Sequence, residues 1–102
     1  KETLFVYNNN PVSFFQIILL LNKNFLVKQY SKIDELISNY KDESKKVVID
    51  ISELDENSFE HIKKEIKYSD LIVLYENEKV FIKNNEYISF QKPIDETIFT
   101  KI

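Results

Sequence analysis

Apolar residues along the chain fall into segments of two periods, one suited to strands and one to helices. Leu4 to Tyr7 is a short apolar run and reads as a first strand. Asn8, Asn9 and Asn10 follow, then Pro11. Asparagine is a good N-cap and proline is pre-set for the first helical turn, so a helix starts there and runs to about Leu21 or Asn22. Phe25 to Tyr30 reads as a second strand. Ser31-Lys32-Ile33-Asp34 matches a capping box with Asp in place of Glu, and Ile33, Leu36, Ile37 and Tyr40 then form one apolar helical stripe. Lys41 to Lys46 reads as a charged loop. Val47-Val48-Ile49-Asp50-Ile51 is β-branched and continuous, which suits a strand buried on both faces. Ser52 to Asn57 is a polar, acidic connection, and Phe59, Ile62 and Ile66 mark the next helix. Leu71 to Tyr75 is another continuous strand. Between Glu76 and Asn85, Val80, Phe81 and Ile82 fit either a short strand or a helical turn. Tyr87 to Phe90 is the last strand, and Pro93 opens a final helix carrying Ile94, Ile98 and Ile102.

Strands alternating with helices imply an α/β fold, a parallel sheet covered on both faces in a three-layer sandwich. Five strands at this spacing suit the flavodoxin-like order 2-1-3-4-5, in which strands one and three are neighbours. Ligands in such sheets bind beyond the carboxyl ends of the strands, near the point where the order reverses. That placement puts Asn8 and Asn9 beside Asp50. No repeat, low-complexity tract or linker divides the chain, so residues 1–102 read as one domain.

Composition narrows the chemistry. The 102 residues are 43% apolar and 30% charged, with a formal charge of −3 from 17 acids and 14 bases. Every base is lysine, and Cys, Gly, Ala, Met, Trp and Arg are absent. AT-rich coding explains the abundance of Lys, Asn and Ile, but the chemical exclusions stand regardless. Without cysteine there is no disulfide framework, thiolate metal site or thiol nucleophile. Without glycine, phosphate-cradling loops, the dinucleotide fingerprint and the nucleophile elbow lose the residue they need where a side chain clashes. The missing arginine and the mild acidity argue against direct nucleic-acid contact. The apolar stretch around Ile17 to Leu21 is far short of the roughly 20 residues that span a bilayer, so a cytoplasmic protein is expected. The chain starts without Met and ends in a predicted helix, the expectation for part of a longer protein.

Asp50 closes an apolar run, which places its carboxylate at the rim of the sheet. The bland reading is a loop-initiating Asp that bonds nearby amides. Lys92-Pro93, after the last strand, changes the picture: a lysine there reaches back across the rim towards Asp50 as a mobile point charge. The order of these pieces resembles a receiver domain, the phosphoacceptor module of two-component response regulators. LFVYNNNP resembles its first strand and helix start, and VVIDISELDENSFE its acceptor strand and loop. LIVLYE resembles the fourth strand, and FQKPIDETI the Lys-Pro ending of the fifth. The likeness runs over nearly the whole chain. It implies that Asp50 takes the phosphoacceptor position, Lys92 the lysine position, and Glu60 a usual acidic position.

The departures from that pattern carry as much meaning. The acidic pair that helps receivers hold Mg²⁺ falls on Asn8 and Asn9, so about three formal negative charges drop to one, and Mg²⁺ wants carboxylates. Phosphoryl transfer relies on that cation to offset charge. Mg²⁺ binding is therefore expected to be weak or absent, with no other cofactor and no catalytic residue. The small hydroxyl residue at the end of strand four falls on Tyr75, whose ring is expected to crowd the pocket. The usual Pro falls on Leu54 and the usual Gly on Ser58. The short stretch between strands four and five implies a shortened or missing fourth helix. The expectation is thus an atypical receiver, not an enzyme, acting in bacterial signal transduction through a protein partner: a homodimer, a sensor or an output domain. With the metal gone, Asp50 and Lys92 form a plain salt bridge at the rim, worth about 0–1 kcal/mol if exposed.

Two alternatives stand beside this reading. One is a working phosphoacceptor using Asp50. The other is an anti-sigma-factor-antagonist type of domain, with Ser52 or Ser58 accepting phosphate on a mixed sheet. A flavin carrier shares the fold but lacks a recognisable phosphate loop. The first helix carries Phe14, Phe15 and Ile17 to Leu21 around most of its circumference. Either its neighbours bury both sides or one face is left for a partner. His61 has no second His or Cys to make a metal site and reads as a surface residue. Lys63, Lys64 and Lys67 read as the solvated face of the third helix.

Overall fold

The β-branched run Val47–Ile49 lies in the middle of the sheet. Val47 sits opposite Phe5 on one side and Leu71 on the other, and Val48 opposite Val6 and Ile72. The structure, a computed structural model, describes residues 1–52, 54–77 and 87–102. Its strands are β1 (Glu2–Tyr7), β2 (Phe25–Tyr30), β3 (Lys46–Asp50), β4 (Leu71–Tyr75) and β5 (Ile88–Gln91). Its helices are α1 (Pro11–Leu21), α2 (Ile33–Asp42) and α3 (Glu56–Glu65), with 3₁₀ turns at Tyr68–Asp70 and Glu96–Thr100. The sheet order is β2-β1-β3-β4-β5, and every pairing is parallel. This is the flavodoxin-like order expected from the pattern. The mixed sheet of the anti-sigma-factor-antagonist alternative does not occur among the described residues.

The alternation of side chains along each strand divides the core into two layers. Phe5, Val47, Ile49 and Val73 face Leu36, Ile37 and Tyr40 of α2 and Phe59 and Ile62 of α3. Leu4, Val6, Val48, Ile72 and Leu74 face Ile17, Ile18 and Leu21 of α1 and Ile98 of the last turn. Each fully buried Leu, Ile or Phe stabilises the fold by about 1.5–3 kcal/mol relative to exposure. The covered strands therefore have to be apolar on both faces, as the central ones are.

Helix ends depart from the sequence reading in three places. The N-cap of α2 is Lys32, without a side-chain cap, because the first helical bond runs from Leu36 N–H to the Lys32 carbonyl. Ser31 is therefore one residue too early to close a capping box. At the other end α2 continues to Asp42 and β3 begins at Lys46, which shortens the charged loop. The final α-helix is absent. Asp95 accepts the Thr97 N–H at 2.9 Å and caps a five-residue 3₁₀ turn in which Thr97, Ile98 and Thr100 are β-branched, poor helix formers. Ile98 still reaches the core, while Ile94 and Ile102 pack partly against it. The expectation about the fourth helix falls on residues 78–86, outside the described residues. Among the described residues no helix is long and apolar enough to cross a membrane.

Candidate functional site

Three parallel strands deliver their carboxyl ends to one lip. Asn8 follows β1, Asp50 ends β3 and Lys92 follows β5. Asp50 is 4% exposed, so it lies within the lip and not on the outer rim that the sequence suggested. Its Oδ2 accepts from Asn8 Nδ2 at 2.6 Å, from Lys92 Nζ at 2.6 Å and from Ser13 Oγ at 3.3 Å. Its Oδ1 accepts from the Ser52 N–H at 3.0 Å. The loop-initiating role of Asp50 and its link to the distant lysine are both present.

Lys92 is held by several partners. Its side chain is 10% exposed, and its Nζ also donates to Ser13 Oγ at 2.9 Å and lies 3.3 Å from Glu76 Oε1. Two carboxylates and a hydroxyl thus surround one ammonium. The salt bridge expected at the rim is buried, which sets its energetics: removing one partner strands a charge away from water. The Lys92 backbone N–H donates to the Tyr75 carbonyl at 2.7 Å, which ties the start of the Lys-Pro segment to β4.

The amide of Asn8 has a fixed orientation. Its Oδ1 accepts the Asn10 backbone N–H, so its NH₂ side faces Asp50. Asn10 in turn caps α1, its Oδ1 accepting from the N–H groups of Val12 and Ser13 at 3.1 and 3.3 Å. That cap positions Ser13 over Asp50. Asn9 is exposed and lines a hollow of about 280 Å³ together with Asp50, Ser52, Glu76 and Lys92.

Tyr75 does not crowd this hollow. It packs against the core layer beneath α2 and α3 and offers the site only its backbone carbonyl. Ser13 and Glu76, by contrast, join the site although nothing in their local sequence singles them out. Both reach Lys92 through neighbours that only the sheet order creates. Glu60 lies on α3 and pairs with Lys63 at 2.7 Å, away from Asp50's partners. Leu54 is buried, and Ser58 donates its N–H to the Asp55 cap of α3 at 2.7 Å. His61 is half exposed and its Nε2 lies 3.8 Å from Asp34 Oδ1, a surface position as expected. Lys63 corrects its reading: its side chain is 11% exposed and its ammonium stands 5.1 Å from the centre of the Phe59 ring. Lys64 and Lys67 are exposed.

No family model matches the chain, and no curated protein matches it. Solved structures do. A response regulator receiver protein from Burkholderia phymatum superposes with a TM-score of 0.74 at 12% identity, covering 99% of this chain and 90% of that one. A response regulator receiver domain protein from Bacillus halodurans gives 0.65 at 12% identity, covering 98% and 91%. The co-crystal structure of the Saccharomyces cerevisiae phosphotransfer protein Ypd1 with the receiver domain of the response regulator Ssk1 gives 0.63 at 12% identity, covering 99% and 85%. Five parallel strands in this order, matched over nearly the full length, give the chain the fold of response regulator receiver domains.

Proposed function

We propose that the chain works as an atypical receiver domain in signal transduction, acting through protein–protein contact and without Mg²⁺-dependent phosphorylation of Asp50. The observation that carries this reading is the set of partners on Asp50. Its Oδ2 is already engaged by the Lys92 ammonium and the Asn8 amide, both at 2.6 Å. The implied Mg²⁺ does not fit these residues. A hard cation takes oxygen ligands, preferably carboxylates, whereas Asn8 turns its NH₂ group towards Asp50 and commits its oxygen to the Asn10 N–H. Asn9 brings no charge. Lys92 supplies the positive charge that offsets Asp50, so the carboxylate is satisfied without a metal.

A signal would then reach this domain as a partner's binding energy, not as a transferred phosphoryl group. The structure of Ypd1 with the Ssk1 receiver is an instance of a related fold engaging a protein partner, and it motivates a search for a protein ligand here. The test is incubation of the chain with acetyl phosphate, or with beryllofluoride, in the presence and absence of Mg²⁺. Mass spectrometry and amide resonances of Asn8, Asp50 and Lys92 provide the readout. Unchanged mass and Mg²⁺-independent spectra are expected. A Mg²⁺-dependent adduct on Asp50 would establish the working phosphoacceptor instead.

A further inference from the structure

The outward face of α1 is the one helix face among the described residues that carries no charge. Val12, Phe15 and Leu19, spaced to fall on one side of the helix, are 72%, 65% and 57% exposed. Gln16 lies among them, and the opposite side buries Ile17, Ile18 and Leu21 in the core. No acidic or basic residue occurs in the eleven residues of α1. The contrast with its neighbours is sharp: α2 carries Asp34, Glu35, Lys41 and Asp42, and α3 carries Glu56, Glu60, Lys64 and Glu65. Alongside the stripe runs a groove of about 460 Å³ between α1 and the end of the edge strand β2. Its floor is Phe14, Ile18 and the flanks of Phe15 and Leu19, and its rim includes Asn9, Asn22, Gln29 and Ser31.

We infer that this face is a two-fold interface at which α1 of one copy of the chain packs against α1 of a second copy. A two-fold contact requires a surface complementary to itself, with knob and hole in the same patch. The patch has both, since the Phe15 ring stands beside the groove that a second Phe15 can enter. Its polar groups are carboxamides and a hydroxyl, each both donor and acceptor, so each can pair with its own kind. A lysine or a carboxylate in the same place would meet its like. The chain carries a net charge of −3, so two copies repel overall and approach at least cost through a face without charge. A strongly charged partner would find no counter-charge on this rim.

The test is the mass of the whole chain in solution, by sedimentation equilibrium from micromolar concentrations upward, for the parent and three variants. Phe15→Lys places like charges in the interface, Leu19→Gln weakens it without charge, and Leu26→Lys changes an equally exposed leucine on the other face of β2. All three sites are exposed, and circular dichroism verifies that each variant folds. The parent and L26K are expected to dimerise. F15K is expected to be monomeric, and L19Q to weaken the dimer by about tenfold or more. A parent that stays monomeric throughout overturns the inference. So does a dimer that survives F15K, or one that L26K removes as effectively.

Discussion

Lys92 Nζ and Asp50 Oδ2, from residues 42 positions apart in the chain, meet at 2.6 Å with side chains only 10% and 3% exposed. Opposite charges so far removed from water behave differently from a surface pair. Their attraction offsets a desolvation cost, and most of the penalty appears only when one partner is missing. Lys92→Met is therefore expected to destabilise the fold by about 3–5 kcal/mol, read from urea unfolding midpoints. The double variant Asp50→Asn/Lys92→Met is expected to recover much of that loss, because no uncompensated charge is left behind. Additive losses would mean that the two side chains are not coupled.

Asn8→Asp tests the charge arithmetic of the lip. A second carboxylate at Asn8 Nδ2, 2.6 Å from Asp50 Oδ2, introduces like-charge repulsion and supplies a metal ligand at once. The variant is expected to melt below the parent in chelator and to gain stability as Mg²⁺ is added. That gain is about 2.7 kcal/mol when the metal reaches a hundred times its dissociation constant. The parent's melting temperature is expected to be indifferent to Mg²⁺. Thermal unfolding in both conditions checks the pair.

Tyr87 stacks edge-on against Phe59 and Tyr68, with ring centres 5.8 and 5.9 Å away. Its hydroxyl is buried and has no hydrogen-bond partner among the described residues. An unsatisfied buried hydroxyl costs about 1–3 kcal/mol. Tyr87→Phe keeps the ring and removes that cost, so it is expected to raise stability by about 1 kcal/mol. A drop in the unfolding midpoint would reveal a bond that the hydroxyl makes.

Acid should loosen the helix caps first. Hydrogen bonds from Ser58 hold the Asp55 carboxyl below its ordinary value of 3.8, and those from Thr97 do the same for Asp95. A carboxyl with a depressed folded pKa stabilises the fold fully above its unfolded value and loses that contribution as pH falls through the folded one. Stability is thus expected to decline below about pH 4. Asp55→Asn/Asp95→Asn preserves capping groups that do not titrate. Its acid limb is expected to be shallower than the parent's in denaturant melts taken across this range.

Alkali acts through the phenols. Burial raises Tyr7, Tyr30, Tyr40 and Tyr87 above their ordinary 10.0, with the hydrogen bond to Asp70 adding to the effect at Tyr40. An acid whose folded pKa is raised stabilises fully below its unfolded value and ceases to do so as pH rises through the folded one. Ultraviolet titration is expected to show phenol ionisation lagging behind free tyrosine above pH 10, followed by cooperative unfolding. A profile matching free tyrosine would contradict the burial.

How much of this the sequence disclosed depended on the range of the interaction involved. Phe25–Tyr30 and Leu71–Tyr75 were legible to the residue, because period and β-branching are local properties that set a strand directly. The strand order is the flavodoxin-like one that five strands at this spacing suit, and it places Asn8 beside Asp50, as the structure does. Ser31 failed as a cap because a cap depends on which carbonyl the first helical N–H selects, a choice made within a single residue. The last helix failed because Asp95 could cap a short turn where an apolar stripe suggested a longer element. Ser13 and Glu76 were invisible for a different reason. Each belongs to the site only through Lys92, and no local pattern announces a partner 79 or 16 positions away. The size of Tyr75 suggests crowding, whereas its strand's alternation directs the ring to the other layer.

The position of β5 at the outer margin of the ladder has a consequence for the charge at the lip. Lys92 depends on the pairing of that strand with β4, whereas Asp50 sits on β3, flanked by β1 and β4. Any event that peels β5 away takes the ammonium with it and leaves the charge of Asp50 held only by the neutral donors of Asn8, Ser13 and the Ser52 N–H.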